Sequence, residues 1–225
     1  MSWQDDRLKR GETMTLNDLI KTIHVSIDDA NKMHMKWTGG WWVTAYGVES
    51  FIVGNIARGI MDLPNPPKYA TMETKFSELY DNSGIRPKGP SRVASKSNNR
   101  LDLALYAGEN LSHAIELKRF WDPKCLEDLD RLAELYRTLN KEKGGSLRAG
   151  IFVLLAACKA RRGRDARNNL AQVFERYEEK CANHLKLKWL ARGINSYEFS
   201  RGVEHVKPTL LPDGQAFSSL CVVIK

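Results

Sequence analysis

The stretch that decides the reading runs from Arg100 to Trp121, RLDLALYAGENLSHAIELKRFW. Two apolar runs flank AGENLS, whose Gly108 and Asn110 suit a hairpin turn. Side chains alternate between the faces of an extended chain, so Leu101, Leu103 and Leu105 share one face and Asp102, Ala104 and Tyr106 the other. In the second run Ile115 and Leu117 lie on one face, and Ala114, Glu116 and Lys118 on the opposite one. If both leucine faces pack on the same helix layer, Asp102, Glu116 and Lys118 converge on the other side. A register with Asp102 opposite Glu116 would bring their β-carbons to about 5 Å.

Like charges directly opposite on a sheet repel each other, and a divalent cation reverses that sign. Carboxylate oxygens suit hard Mg²⁺, which takes one or two protein carboxylates and fills its remaining positions with water and phosphate oxygens. Lys118, roughly 7 Å along the strand from Glu116, is then within reach of an attacking water or a scissile phosphate. An isolated E-x-K is more often an ion pair on a solvated sheet face. The aspartate in the preceding paired run moves the reading toward a metal site.

Working outward, TLNDLIKTIHVSIDDANKMHMKW spaces Leu16, Leu19, Ile20, Ile23 and Ile27 at helical intervals and predicts an amphipathic helix from about Thr15. TGGWW breaks it, and TAYGVESFIVGNIARGIMDL resumes helical spacing as far as PNPP. A third helix is expected over ATMETKFSELYDNSG, then a loop with a short strand over IRPKGPSRVASKSNNR. Pro123 and a closing Gly pair punctuate a helix over PKCLEDLDRLAELYRTLNKEKGG. LRAGIFVLLAAC reads as a fully buried strand, DARNNLAQVFERYEEKCANHLKLKWL as a long helix and FSSLCVVIK as a last strand. Residues 1–44 form an N-terminal helical extension and 45–225 the main domain, together one compact unit.

The bounds agree with an ordinary globular α/β protein. The chain has 225 residues, 42% hydrophobic and 28% charged, enough for one sizeable core. No apolar run approaches the roughly 20 residues that span a bilayer, and MSWQDDRLKR is too polar for a signal peptide, so a cytoplasmic protein without membrane partners is expected. Cys125, Cys158, Cys181 and Cys221 are widely spaced, which favours reduced, mostly buried thiols over a disulfide framework or a zinc site. From Lys159 onward thirteen Lys or Arg face seven Asp or Glu, a net +6 of the chain's +8. Its densest piece, KARRGRDAR, holds Lys159, Arg161, Arg162, Arg164 and Arg167 and would attract polyanions through phosphate contacts and counterion release.

Asp102, thirteen intervening residues, then Glu116-Leu117-Lys118 resembles the D…E-x-K motif of the PD-(D/E)XK nuclease superfamily. The resemblance covers roughly residues 45–158 and implies a restriction-endonuclease-like αβββαβ core with a mixed central sheet. One departure is Leu101, which stands where the name-giving proline would be, a residue absent in many members. The resemblance implies Mg²⁺, with Mn²⁺ as a substitute, held by Asp102, Glu116 and the Leu117 backbone carbonyl. It implies that Lys118 positions or activates water, that DNA is the substrate and that cleavage leaves a 5′-phosphate. In such nucleases the helix ahead of the motif often lends a glutamate, and Glu49 resembles that residue. It precedes Ile52, Val53, Ile56 and Ile60 at offsets three, four, seven and eleven, on the apolar stripe of its helix. A capping or ion-pair role near the helix start is the alternative for Glu49.

Arg100 and Arg119 are candidates for phosphate contact or plain surface residues. Trp41 and Trp42 are expected to plug a space between helices, with stacking on bases as the alternative. The functional expectation is a Mg²⁺-dependent deoxyribonuclease, most simply an endonuclease, in which a homodimer would supply two sites for two strands. The competing expectation is a non-catalytic nucleic-acid-binding or accessory subunit of a phage, transposon or restriction assembly that keeps the fold.

Overall fold

The structure, a computed structural model, describes residues 14–85, 99–160, 165–202, 205–207 and 214–225. A mixed seven-stranded sheet lies between two helical layers. Its strands are β1 (Tyr69–Lys75), β2 (Arg100–Ala107), β3 (Asn110–Lys118), β4 (Ala149–Lys159), β5 (Tyr197–Arg201), β6 (His205–Lys207) and β7 (Gln215–Ile224). The order across the sheet is β1-β2-β3-β4-β7-β5, with β6 also on β7. Among the described strands only β3 and β4 pair in parallel, through a crossover that contains α5 (Cys125–Leu139).

One layer holds α1 (Leu16–Thr38), the single turn α2 (Val43–Tyr46) and α3 (Glu49–Met61). Leu19, Ile23 and Ile27 of α1 and Ile52, Ile56 and Ile60 of α3 bury against Leu103, Leu105, Ile115, Leu117 and the odd-numbered side chains of β7. The other layer holds α4 (Phe76–Ser83), α5 and α6 (Ala166–Lys188). Its core joins Leu129, Leu132 and Tyr136 of α5 to Ala114, Phe152, Leu154 and Val222. Burying each such large side chain is worth about 1.5–3 kcal/mol, so the layers fix which strand face points where. The N-terminal extension thus shares one core with the sheet from α1 onward.

Local chemistry sets the helix ends. The Thr15 hydroxyl accepts the Asp18 N–H at 3.1 Å and the Asp18 carboxylate accepts the Thr15 N–H at 3.3 Å, a reciprocal cap where the sequence predicts the start of α1. Gly39, at φ 71°, ends that helix in the left-handed region. Asp122 caps α5 by accepting the N–H groups of Lys124 and Cys125, and Asp165 caps α6 by accepting that of Asn168.

Three expectations need correction. The third helix is half strand: residues 69–75 form β1, pairing antiparallel with β2, and helix begins only at Phe76. The first described strand therefore precedes α4, and the loop and short strand expected over residues 85–100 lie mostly outside the described residues. The helix expected across TAYGVESF is broken at Gly47 and Val48, both extended, so Glu49 opens α3. Leu101 leaves the other two leucines and joins the α4/α5 side, next to the point where Glu73 of β1 takes φ 56° and drops out of the ladder.

Candidate active site

The β2–β3 ladder ends at Leu103 and Ile115, and just beyond it the Asp102 and Glu116 side chains meet, as the alternation of the two runs predicts. The register holds because Ala104–Ala114 and Leu103–Ile115 each keep a small or branched residue on the face its helix layer requires. Nearer the turn a bulge intervenes: Leu105 pairs with His113 but Tyr106 with Leu111. The residue skipped, Ser112, donates its hydroxyl to the Leu105 carbonyl at 2.9 Å, satisfying an acceptor the bulge would orphan.

Glu116 is 1% exposed. Among the described residues its Oε1 has no hydrogen-bond partner, and the nearest cation, Arg131 Nη2, lies 3.6 Å away, too far for a hydrogen bond. The glutamate also shares a hydrogen bond with the Asp102 carboxyl. Burial first, then the neighbouring Asp102, pushes the Glu116 pKa well above the ordinary carboxylate range, against the pull of Arg131. Burial also raises Asp102, although its carboxylate accepts the Leu117 N–H at 2.6 Å. Both carboxyls are thus shifted toward their protonated forms.

Lys118 sits at the last position of β3, between α3 and α5. Its ammonium lies 3.8 Å from Glu49 of α3 and 3.3 Å from Asp128 of α5. Burial alone would lower its pKa, but Asp128, Glu49, Asp102 and Glu116 together raise it above the lysine value. At neutral pH Lys118 is a held cation and carries no lone pair for proton abstraction.

Asp128 and Arg131 pair with each other on one face of α5 and were not among the residues the motif singles out. A signal for Asp128 exists: it lies three residues after Cys125 and four before Leu132, on the buried stripe of its helix. Glu49 meets its expectation differently. With the helix broken ahead of it, the residue stands at the first turn of α3 with its side chain 37% exposed, and its partner is Lys118.

Four carboxylates (Glu49, Asp102, Glu116, Asp128) thus surround two cations (Lys118, Arg131). Two carboxyls side by side on adjacent strands, one with a buried orphan oxygen, in a cluster with more negative than positive groups, fit a hard divalent cation in chemistry and charge. Among the described residues no three His, Cys, Asp or Glu side chains converge as a ready ligand set. The donor set that the fold offers is the pair, within the one or two carboxylates that Mg²⁺ takes. Leu117 meets the pair through its N–H, which Asp102 accepts.

Of the basic segment, Lys159 ends β4 and Arg167 lies in the first turn of α6, both exposed. Arg161, Arg162 and Arg164 lie outside the described residues. Lys118 pairs with Leu154, so β4 runs five residues, roughly 16 Å, beyond the end of β3 before the basic run begins. Arg100 donates to the Glu73 carbonyl at 2.7 Å, and the Arg119 guanidinium lies 5.8 Å from the Phe120 ring centre. No helix among the described residues is long and apolar enough to cross a membrane. The chain matches no protein-family model, no curated protein and no solved structure.

Proposed function

We propose that the protein is a Mg²⁺-dependent deoxyribonuclease with a restriction-endonuclease-like core, hydrolysing phosphodiester bonds at Asp102, Glu116 and Lys118. The observation that carries the proposal is the contact of the Asp102 and Glu116 carboxyls between β2 and β3, with Lys118 one alternation further at the strand end. The element order α3-β1-β2-β3-α5-β4, with α4 inserted after β1, supports the fold part of the reading.

Asp102 and Glu116 would hold the cation, with Glu49 and Asp128 the next carboxylates at hand. When bound, Mg²⁺ supplies charge for the phosphoryl oxygen and lowers the pKa of a water. Glu116 and Asp102 would ligate as carboxylates, so binding would favour the deprotonated pair. Lys118, fixed between Glu49 and Asp128, offers its charge to the oxygens of the developing phosphorane and orients the attacking water. Arg131 balances Glu116 from behind. Lys159 and Arg167, with the arginines between them, would hold the backbone of the duplex without reading its sequence.

Crystals soaked in Mn²⁺ test the metal assignment. Anomalous density is expected between Asp102 and Glu116, absent in Glu116→Gln, and Mn²⁺ affinity should rise with pH, because the ion competes with protons for two carboxyls whose pKa values burial raises. No density at the pair, or affinity that does not change with pH, would turn the reading toward a nucleic-acid-binding subunit without turnover.

A further inference from the structure

Nine large apolar side chains are exposed among the described residues, and four of them, Trp37, Trp41, Tyr46 and Val48, fall within residues 37–48. Scattered exposed apolar residues are ordinary, but exposed aromatics in contact, as Trp41 and Tyr46 are, mark a binding surface. The four lead directly into the candidate site. Val48 is the N-cap of the helix that Glu49 opens, and Glu49 lies 3.8 Å from Lys118. A fourth exposed ring, Phe120, follows Lys118 by two residues.

The rings are held in place before any ligand arrives. Gly39 and Gly40, at φ 71° and 114°, turn the chain, and the Trp41 carbonyl accepts hydrogen bonds from the His34 ring at 3.0 Å and the Thr38 hydroxyl at 3.3 Å. Trp42 is the expected plug: 4% exposed, its ring stacks on Phe217 at 5.4 Å, and its indole N–H donates to Gln215. With Trp42 anchored inside, Trp41 is left outside, edge-on to Tyr46 at 5.1 Å. Trp37 leans on Phe51 at 5.3 Å. At roughly 200 Å² for each aromatic side chain, the 65%, 49% and 67% exposures of Trp37, Trp41 and Tyr46 offer about 350 Å². That is less than half of the ~800 Å² that a stable interface takes from each partner. Flat rings of this total area suit a few bases better than a second copy of the chain.

We infer that Trp41, Tyr46 and Trp37 form a stacking platform for unpaired nucleobases, delivering a single strand or an opened duplex end to the site at Lys118. The inference rests on the nuclease reading for its substrate class and on the exposed rings for its chemistry. Paired bases are stacked inside a duplex and cannot lie on these rings, whereas any unpaired base presents a π-face. The platform therefore selects for strand state and not for sequence.

Binding of oligothymidylate and of a blunt duplex of equal length, followed in metal-free buffer by tryptophan fluorescence and titration, tests it. The parent should bind the single strand with quenching. Trp41→Ala with Tyr46→Ala should weaken that binding roughly tenfold or more, the loss of about one base stack, and leave duplex affinity unchanged. Trp41→Phe with Tyr46→Phe, which keep rings at both positions, should retain most of the affinity. Unchanged single-strand affinity in the alanine pair, or an equal loss on duplex, overturns the platform. So does a parent dimer that becomes monomeric in the alanine pair, which would assign the rings to self-association. Cleavage assays separate the two readings. Unchanged affinity together with cleavage lost in Lys118→Ala overturns the platform alone, whereas lost affinity together with undiminished cleavage by Lys118→Ala upholds the platform and overturns the site.

Discussion

Lys118 is the residue on which both helical layers meet. Glu49 approaches from α3 and Asp128 from α5, so the ammonium is fixed by groups from opposite sides of the sheet. A cation held in this way is useful only where negative charge develops, and its raised pKa removes it from proton transfer at neutral pH. Asp128 then becomes a positioning residue. Replacing it with Asn leaves the Asp102–Glu116 pair in place but frees the ammonium to follow Glu49. Asp128→Asn should keep Mn²⁺ affinity within a few-fold and cut the single-turnover cleavage rate by roughly ten- to a hundredfold, the usual cost of misplacing a reacting group by about 1 Å. It should also lower thermal stability, because Arg131 loses its partner in a buried setting. A rate equal to the parent's would reduce Asp128 to a structural counter-ion.

Among the elements, those with strong periodicity and unambiguous ends were legible in the sequence. The Thr15 cap of α1, the Asp165 cap of α6 and the unbroken apolar run of β4 each leave one solution. The Asp102–Glu116 register was legible for the same reason, since a slip of one residue would turn Leu103 and Ile115 out of the α1/α3 core. β1 was misread because Met72, Phe76, Leu79 and Tyr80 stand at helical intervals, while its own half-exposed side chains show no alternation. The position of β7 between β4 and β5 rests on long-range pairing that leaves no local trace. Asp128 carried the same sign as Glu49, a carboxylate on an apolar stripe, in a helix read only for its ends. The break at Gly47 was hidden because this glycine has no left-handed backbone. Its role is space: a Cβ there would lie 2.4 Å from Val43 Cγ2 and 2.5 Å from the Val43 carbonyl oxygen. Gly47→Ala should therefore push α3 away from α2, destabilise the protein by about 1–3 kcal/mol and reduce cleavage through the displaced Glu49. Urea titration beside the cleavage assay checks both, and a stable variant with full activity would show that the break is incidental.

At the scale of the whole molecule, charge and topology point to the same end of the sheet. The parallel pair β3 and β4 ends there, the carboxylate cluster lies at Lys118, and the chain's densest basic run begins where β4 projects past it. Sequence-independent phosphate contacts have a measurable signature, because each one released flattens the dependence of log K on log salt by roughly 0.9 on duplex DNA. Changing Arg161, Arg162 and Arg164 to Gln should weaken binding to every duplex sequence alike and reduce that slope in proportion. An unchanged slope would move the DNA path elsewhere, toward the Lys and Arg of residues 86–100.

The central claim is that Asp102, Glu116 and Lys118 act together on a phosphodiester. Its most direct test is single-turnover cleavage of duplex DNA in Mg²⁺ by the parent and by Lys118→Ala, purified in parallel. The account predicts Mg²⁺-dependent products with 5′-phosphate ends from the parent, abolished by EDTA. It predicts a loss of a hundredfold or more in the variant, the usual effect of removing one group that stabilises transition-state charge, with DNA binding nearly intact. Equal cleavage by both proteins, or none by the parent in Mg²⁺ or Mn²⁺, would contradict it.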